Sequence, residues 1–185
     1  MNYRKGFDIA FVGLKPGIHT FEYSINDKFF EPYGKQDFSN CEAKIILTLE
    51  KNNSFMFLKF DIDGKVDSFC DRCGNRIPVQ LWDEFNIVVK MIDNPDAMNE
   101  QEDDPDVYYI SHTESHLHIA DWIYEFVNLS IPLQKQCGEE GGTSLCNQEV
   151  LDKLQQMKNG NTFEPDELKL VWKGLDRFRN LENLE

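Results

Sequence analysis

Basic residues are scarce in this chain: 19 Lys and Arg against 33 Asp and Glu, a formal net charge of −14 over 185 residues. Such a surface repels phosphate, so generic nucleic-acid binding through a basic face is disfavoured and a basic protein partner is favoured, beside the plainer role of charge in keeping a protein dissolved. No run of about 18 apolar residues occurs, which excludes a spanning helix. The apolar stretch Ile9-Ala10-Phe11-Val12, between Asp8 and Lys15, is too short for a signal-peptide core, so a cytoplasmic protein is expected. Also missing are a phosphate-cradling glycine loop, a nucleophile elbow and a paired helical His-Glu zinc motif. The plentiful carboxylates form no recognisable acid/base pair, so no enzyme and no small-molecule substrate is expected.

What is present is organised around Cys70-Asp71-Arg72-Cys73-Gly74-Asn75-Arg76. Two cysteines separated by two residues bring both sulfurs to one side of a turn, the geometry of half a tetrahedral zinc site. Gly74 and Asn75 tolerate the positive φ such a turn needs, and Arg72 and Arg76 are expected to favour thiolate over thiol. Cys137 and Cys146 flank a glycine-rich stretch and supply a second, more widely spaced pair. Three fates are open: a bound metal, namely a structural zinc held by Cys70, Cys73, Cys137 and Cys146; reduced, unliganded thiols; or a redox pair or disulfide. A thioredoxin-type pair would sit at a helix N-terminus, whereas the run after Cys73 reads as a strand. Cys41 opens a strand and reads as a small apolar residue.

Along the chain, 7–11 and 18–23 alternate at period two, with Gly13, Pro16 and Gly17 marking the turn between them. Ile45, Leu47 and Leu49 alternate with polar residues, Lys51 to Ser54 turn the chain into 55–62, and Asp63-Gly64 predicts a hairpin turn. Ile77, Val79, Leu81, Phe85, Ile87, Val89 and Met91 share one face of a long strand. Asp83 interrupts that pattern and predicts a bulge or strand bend, and Pro78 belongs near the strand start or on an exposed edge. Residues 93–106 carry Asp93, Asp96, Glu100, Glu102, Asp103, Asp104 and Asp106 and no Lys or Arg, an acidic loop that is either a solvated excursion or a docking arm. Val107 to Ile110 return to strand composition.

Ile119, Trp122, Ile123, Phe126 and Val127 recur at helical intervals before Pro132. His116 and His118 precede them, either as surface histidines or, if they faced the same way, as metal ligands. Beyond Cys146, Val150, Leu151, Leu154 and Met157 form a short amphipathic helix closed by Gly160. A second stripe from Pro165 carries Leu168, Val171, Trp172, Leu175 and Phe178 and either packs on its own domain or serves as a detachable tail. The fold expected is α+β: one curled, barrel-like antiparallel sheet of six or seven strands with a packed helix in residues 1–146, and a helical C-terminal tail in 147–185.

The CxxC turn Cys70-Asp71-Arg72-Cys73, the alternating strand, the acidic loop, the helix ending Val127-Asn128-Leu129-Ser130-Ile131-Pro132-Leu133 and the cysteine after it together resemble the YceD family, over roughly residues 40 to 146. The resemblance maps the family's cysteine turn to Cys70, Arg72 and Cys73, its Leu-x-Leu-Pro segment to Leu129, Ile131 and Pro132, with Leu-Ser-Ile-Pro here, and its downstream cysteine to Cys137. It reaches the last forty residues only through a loose echo at Asp166 to Trp172. It implies a ribosome-biogenesis role, supporting accumulation of large-subunit ribosomal RNA. A basic ribosomal protein is then the physically easier partner, with attraction weakening as salt rises. Direct RNA contact would fall to Lys65, Arg72 and Arg76, with Trp82 as a stacking surface, against ordinary surface charge and packing as their plainer role.

Overall fold

Three long strands set the architecture: β3 (Ser39–Lys51), β4 (Phe55–Phe69) and β5 (Arg76–Ile92). Alternation places Ile45, Leu47, Leu49, Met56, Leu58, Phe60, Leu81 and Val89 on one face, where all eight are fully buried. The computed structural model describes residues 6–138 and 146–160. The expected second C-terminal helix, with Leu168, Val171, Trp172, Leu175 and Phe178, lies outside the described residues.

β2 (Gly17–Asn26) pairs antiparallel with β3, and β6 (Val107–Ser111) pairs with β5, giving the order β2-β3-β4-β5-β6. Two further strands, β1 (Asp8–Ile9) and β7 (Leu117–His118), form a separate two-stranded sheet. The short α1 (Asp27–Phe30) buries Phe29 and Phe30. α2 (Pro95–Asn99) lies within the acidic connection. α3 (Ala120–Leu129) covers the apolar face, its Phe126 stacked on Phe85 at 4.4 Å between ring centroids and edge-on to Phe60 at 5.1 Å. This is the helix that the Ile119 to Val127 spacing predicts. α4 (Gln148–Gly160) follows Cys146.

The expectation of a single antiparallel, barrel-like sheet needs correcting. The β5–β6 pair is parallel, with Val88 opposite Val107 and Ile92 opposite Ser111, so the main sheet is mixed. Among the described residues, the seven strands divide into five and two, and β2 and β6 stand as the edges of the larger sheet, which is not a closed barrel. The acidic connection makes the parallel pairing possible, because it carries the chain from Ile92 back to the level of Val88 before β6 begins. That connection is not featureless. It holds α2, and the Asn99 amide takes both outward backbone groups of Tyr109, accepting from its N–H at 2.8 Å and donating to its carbonyl at 2.9 Å. A side chain thus occupies the edge that a further strand would need.

Two local expectations also change. Asp63-Gly64 makes no turn; both residues lie inside β4, opposite Lys44 and Ala43. The glycine answers a different demand, because a Cβ there would lie 2.6 Å from Ala43 Cα and 2.8 Å from Ala43 Cβ. Gly64→Ala is therefore expected to cost about 1–3 kcal/mol by overpacking, seen as a lower denaturant midpoint at unchanged slope. Asp83 causes no bulge either: β4 and β5 stay in one register from Phe55 opposite Lys90 to Phe69 opposite Arg76. Asp83 is exposed on the strand, and its carboxylate accepts the Glu84 N–H at 3.0 Å. The irregularity falls instead between Ser39 and Glu42, where Asn40 takes φ 52° and the Asp27 carboxylate accepts the N–H groups of Asn40 and Cys41. Pro78 sits where β5 has no neighbour but β4, as a proline within a strand requires. Cys41 is buried in the main core, as a small apolar residue would be.

Candidate metal centre

A second, smaller core lies beside the end of the β4–β5 hairpin. It consists of Cys70, Cys73, Cys137 and Cys146, all buried, with Ile77, Val150 and Leu151 packed against them. The four cysteines reach it by three routes, Cys70 and Cys73 sharing one turn. Cys70 follows β4, and the turn closes through hydrogen bonds from Cys70 N–H to the Asn75 carbonyl (2.8 Å) and from Gly74 N–H to the Cys70 carbonyl (2.9 Å). Gly74 adopts φ 74°, the left-handed conformation that glycine takes at no steric cost, whereas Asn75 does not. Cys137 lies beyond α3 on a segment joined to the turn: Asp71 N–H donates to the Lys135 carbonyl (2.8 Å), Lys135 N–H to the Asp71 carboxylate (2.6 Å), and the Arg72 guanidinium to the Gln136 side chain (3.0 Å). Cys146 stands just before α4, whose first turn supplies Val150 and Leu151.

The four Sγ atoms all lie within 4.8 Å of one another, and Cys73 Sγ is 3.5 Å from Cys137 Sγ. A disulfide needs about 2.05 Å, so these are four free thiols. Ligands at about 2.3 Å from a tetrahedral zinc sit roughly 3.8 Å apart, within the observed span. The donor set fits zinc in number, type and enclosure, and all four cysteines are the ones that sequence spacing nominates.

The electrostatics of the turn also suit a metal. Burial alone pushes the Cys70 thiol up, but N–H groups of Arg72, Cys73 and Cys137 directed at its sulfur outweigh it and bring the pKa down to about 6. Backbone N–H groups of Asn147 and Asn75 likewise lower Cys73. Cys137 is pushed up to about 12, first by burial and then by the neighbouring sulfurs, and burial raises Cys146. The thiolate-stabilising agents are therefore main-chain amides rather than the expected guanidinium groups. Arg76 is turned away, bonding Ser39 Oγ at 2.8 Å and lying over the Phe69 ring. Asn75 is singled out in the sequence only for a positive φ, not as a donor to sulfur, and Asn147 has no sequence signal beyond adjacency to Cys146. Cys137 and Cys146 remain protonated near neutrality in the absence of metal and must lose their protons to bind it. Adding zinc to apo-protein at neutral pH is thus expected to release at least the two protons of Cys137 and Cys146 per chain, read with an indicator dye in weak buffer. Affinity should fall as pH is lowered, because protons compete for all four sulfurs.

The other nominated residues do not join this centre. Lys65 pairs with Glu42 at 3.0 Å, and Trp82 stands on the outer sheet face opposite Asp63, 78% exposed. Lys65, Arg76 and Trp82 share that outer face, while Arg72 belongs to the cysteine turn. His116 bonds Ser115 and His118 bonds the Asp8 carboxylate, so each ring meets its own neighbour rather than a common ligand point. Among the described residues, the four cysteines are the one group with metal-binding proximity. No described helix is long and apolar enough to cross a membrane.

Comparison with family profiles gives one finding that bears on this centre. A profile described as large ribosomal RNA subunit accumulation protein YceD matches residues 58–185, beginning within β4, taking in all four clustered cysteines and running through the last forty residues, further than the sequence motifs alone reach. No curated protein and no solved structure gives a significant match.

Proposed function

The chain belongs to the YceD family, and on that premise we propose a non-catalytic ribosome-biogenesis factor that supports accumulation of large-subunit ribosomal RNA by contacting a basic large-subunit ribosomal protein in the cytoplasm. The family match carries the ribosomal part of this reading, and the net charge of −14 carries the choice of partner. Zinc, held by Cys70, Cys73, Cys137 and Cys146, has a structural role here. Bound there, it would tie the segment after α3 and the start of α4 to the β4–β5 hairpin. Direct RNA contact through Lys65, Arg72, Arg76 and Trp82 has weaker support, since Lys65 is ion-paired, Arg72 bonds Gln136 and Arg76 bonds Ser39.

The depressed Cys70 thiol favours one alternative, a thiol-redox or metal-carrying protein using Cys70 and Cys73. Burial of both sulfurs stands against it, since exchange needs an accessible thiolate. Rapid loss of zinc to a competing chelator, or reversible oxidation of the pair at native stability, would establish that reading. Depletion of the protein in its host tests the principal one. Large-subunit ribosomal RNA is expected to fall relative to small-subunit RNA, and an unchanged ratio would overturn the proposal.

A further inference from the structure

A cleft of about 520 Å³ lies between β6, β7 and the start of α3, lined in part by His118 and Trp122. Its apolar wall is aromatic: Tyr108 and Trp122 meet edge to face at 5.3 Å. Its rim carries Asp8, Glu114, Asp121 and Glu125, of which Asp8 is bonded to His118 and Asp121 to the Tyr33 hydroxyl, and neither lysine nor arginine is among its described lining residues. Glu125 has no hydrogen-bond or ion-pair partner among the described residues. The Tyr108 hydroxyl senses this field: its pKa is raised by burial first and then by the charges of Glu114, Asp96 and Asp121.

Several occupants are disfavoured by the same geometry. An RNA strand would bring phosphates against four carboxylates. A lone divalent cation needs ligand atoms drawn together, and among the described residues only the cysteines are so placed. A strand added to β6 meets the Asn99 amide, which already holds Tyr109 N–H and C=O. What fits is a long cationic side chain, whose apolar stem lies on aromatic rings and whose head reaches the carboxylates.

We propose that this cleft docks Lys and Arg side chains of a basic protein segment, with Tyr108 and Trp122 receiving the stems and Glu114 and Glu125 the charged heads. The proposal deepens the reading above by giving the basic partner a site, and it rests on that reading only for the partner's ribosomal identity. Binding of a labelled oligo-arginine peptide to the zinc-loaded full chain provides the test, with an RNA oligonucleotide as the second probe. Reversing Glu114 and Glu125 together to lysine is expected to weaken peptide binding about tenfold. The matched control, Glu22→Lys with Glu50→Lys, makes the same net-charge change on the outer face of the sheet and is expected to weaken it by less than about twofold. Unchanged thermal unfolding of both variants, with Glu125→Gln as a milder substitution giving a smaller loss, ties the effect to the cleft. Equal losses in the two double variants would reduce the binding to net charge and overturn the proposal, as would RNA binding tighter than the peptide. A peptide site refuted in this way leaves the ribosomal reading intact, because depletion alone decides that; an unchanged RNA ratio on depletion leaves the peptide measurement as it stands.

Discussion

Serine in place of Cys137 is expected to remove stoichiometric zinc and to lower the melting temperature by roughly 10 °C, the consequence of losing about 4 kcal/mol of ligand-linked stability at a thousandfold excess of metal over its Kd. Cys137 is the informative position because it is buried, its sulfur lies 3.5 Å from that of Cys73, and it arrives on the segment that Asp71 and Arg72 hold against the turn. A serine hydroxyl does not ionise as a ligand thiol does, so three sulfurs and a poor fourth donor remain. The damage should be local. The cysteine cluster is a satellite of the main core, and the aromatic packing of α3 on the sheet does not pass through it. Hydrogen exchange should therefore accelerate around 135–138 and α4 while β3, β4 and the inner part of β5 keep their protection. Cys41→Ser is the control: that thiol lies in the other core, raised to about 12 chiefly by burial, and its replacement should leave zinc content unchanged. Loss of zinc from both variants alike would separate metal binding from this cluster.

Phe126→Ala is expected to cost about 3–5 kcal/mol, a fall in melting temperature of roughly 10 °C, by emptying the contact between α3 and the sheet. The ring lies parallel to Phe85 at 4.4 Å, with 2° between planes, and meets Phe60 edge-on at 5.1 Å, so its removal strips two aromatic partners at once. Zinc content should survive, since the four cysteines form a buried cluster separate from the one that holds Phe126. Chemical denaturation followed by far-UV circular dichroism, with elemental analysis of the same sample, checks both parts. A loss below about 1 kcal/mol would mean that α3 is not seated on the sheet as described.

Together these two variants divide the molecule into a β-rich core closed by α3 and a thiol centre that fastens the following chain to it. Much of that division is legible in the residues. Period-two alternation in 45–49, 55–62 and 77–91 marks β3, β4 and β5 because one face of each is wholly buried, and the stripe Trp122, Ile123, Phe126 and Val127 marks α3 for the same reason. The cysteine quartet is legible from spacing and compartment chemistry, although a turn and a sequence-distant pair only nominate one another. Convergence depends on how α3 and the Asp71–Lys135 bonds deliver Cys137, which no local pattern encodes.

The misreadings have physical causes of the same kind. Asp63-Gly64 has turn chemistry, but the strand needs glycine there to let Ala43 approach, and a close backbone contact looks the same in sequence as a turn. Asp83 breaks the apolar pattern without breaking the ladder, because an exposed position within a strand tolerates a carboxylate as readily as a bulge does. The parallel β6 was hidden by a connection whose charges suggest only solvent exposure, while Asn99 and Glu102 in fact bond to Tyr109. The cleft beside Tyr108 and Trp122 gathers residues from β1, β6, β7 and α3, and such a juxtaposition has no signature along the chain.

X-ray absorption at the zinc edge on the purified, reduced protein tests the four-thiol centre most directly. The predicted result is stoichiometric zinc with a single shell of four sulfur neighbours at about 2.3 Å. Protein that carries no zinc after reduction and metal loading, or zinc with nitrogen or oxygen in place of sulfur neighbours, would contradict it.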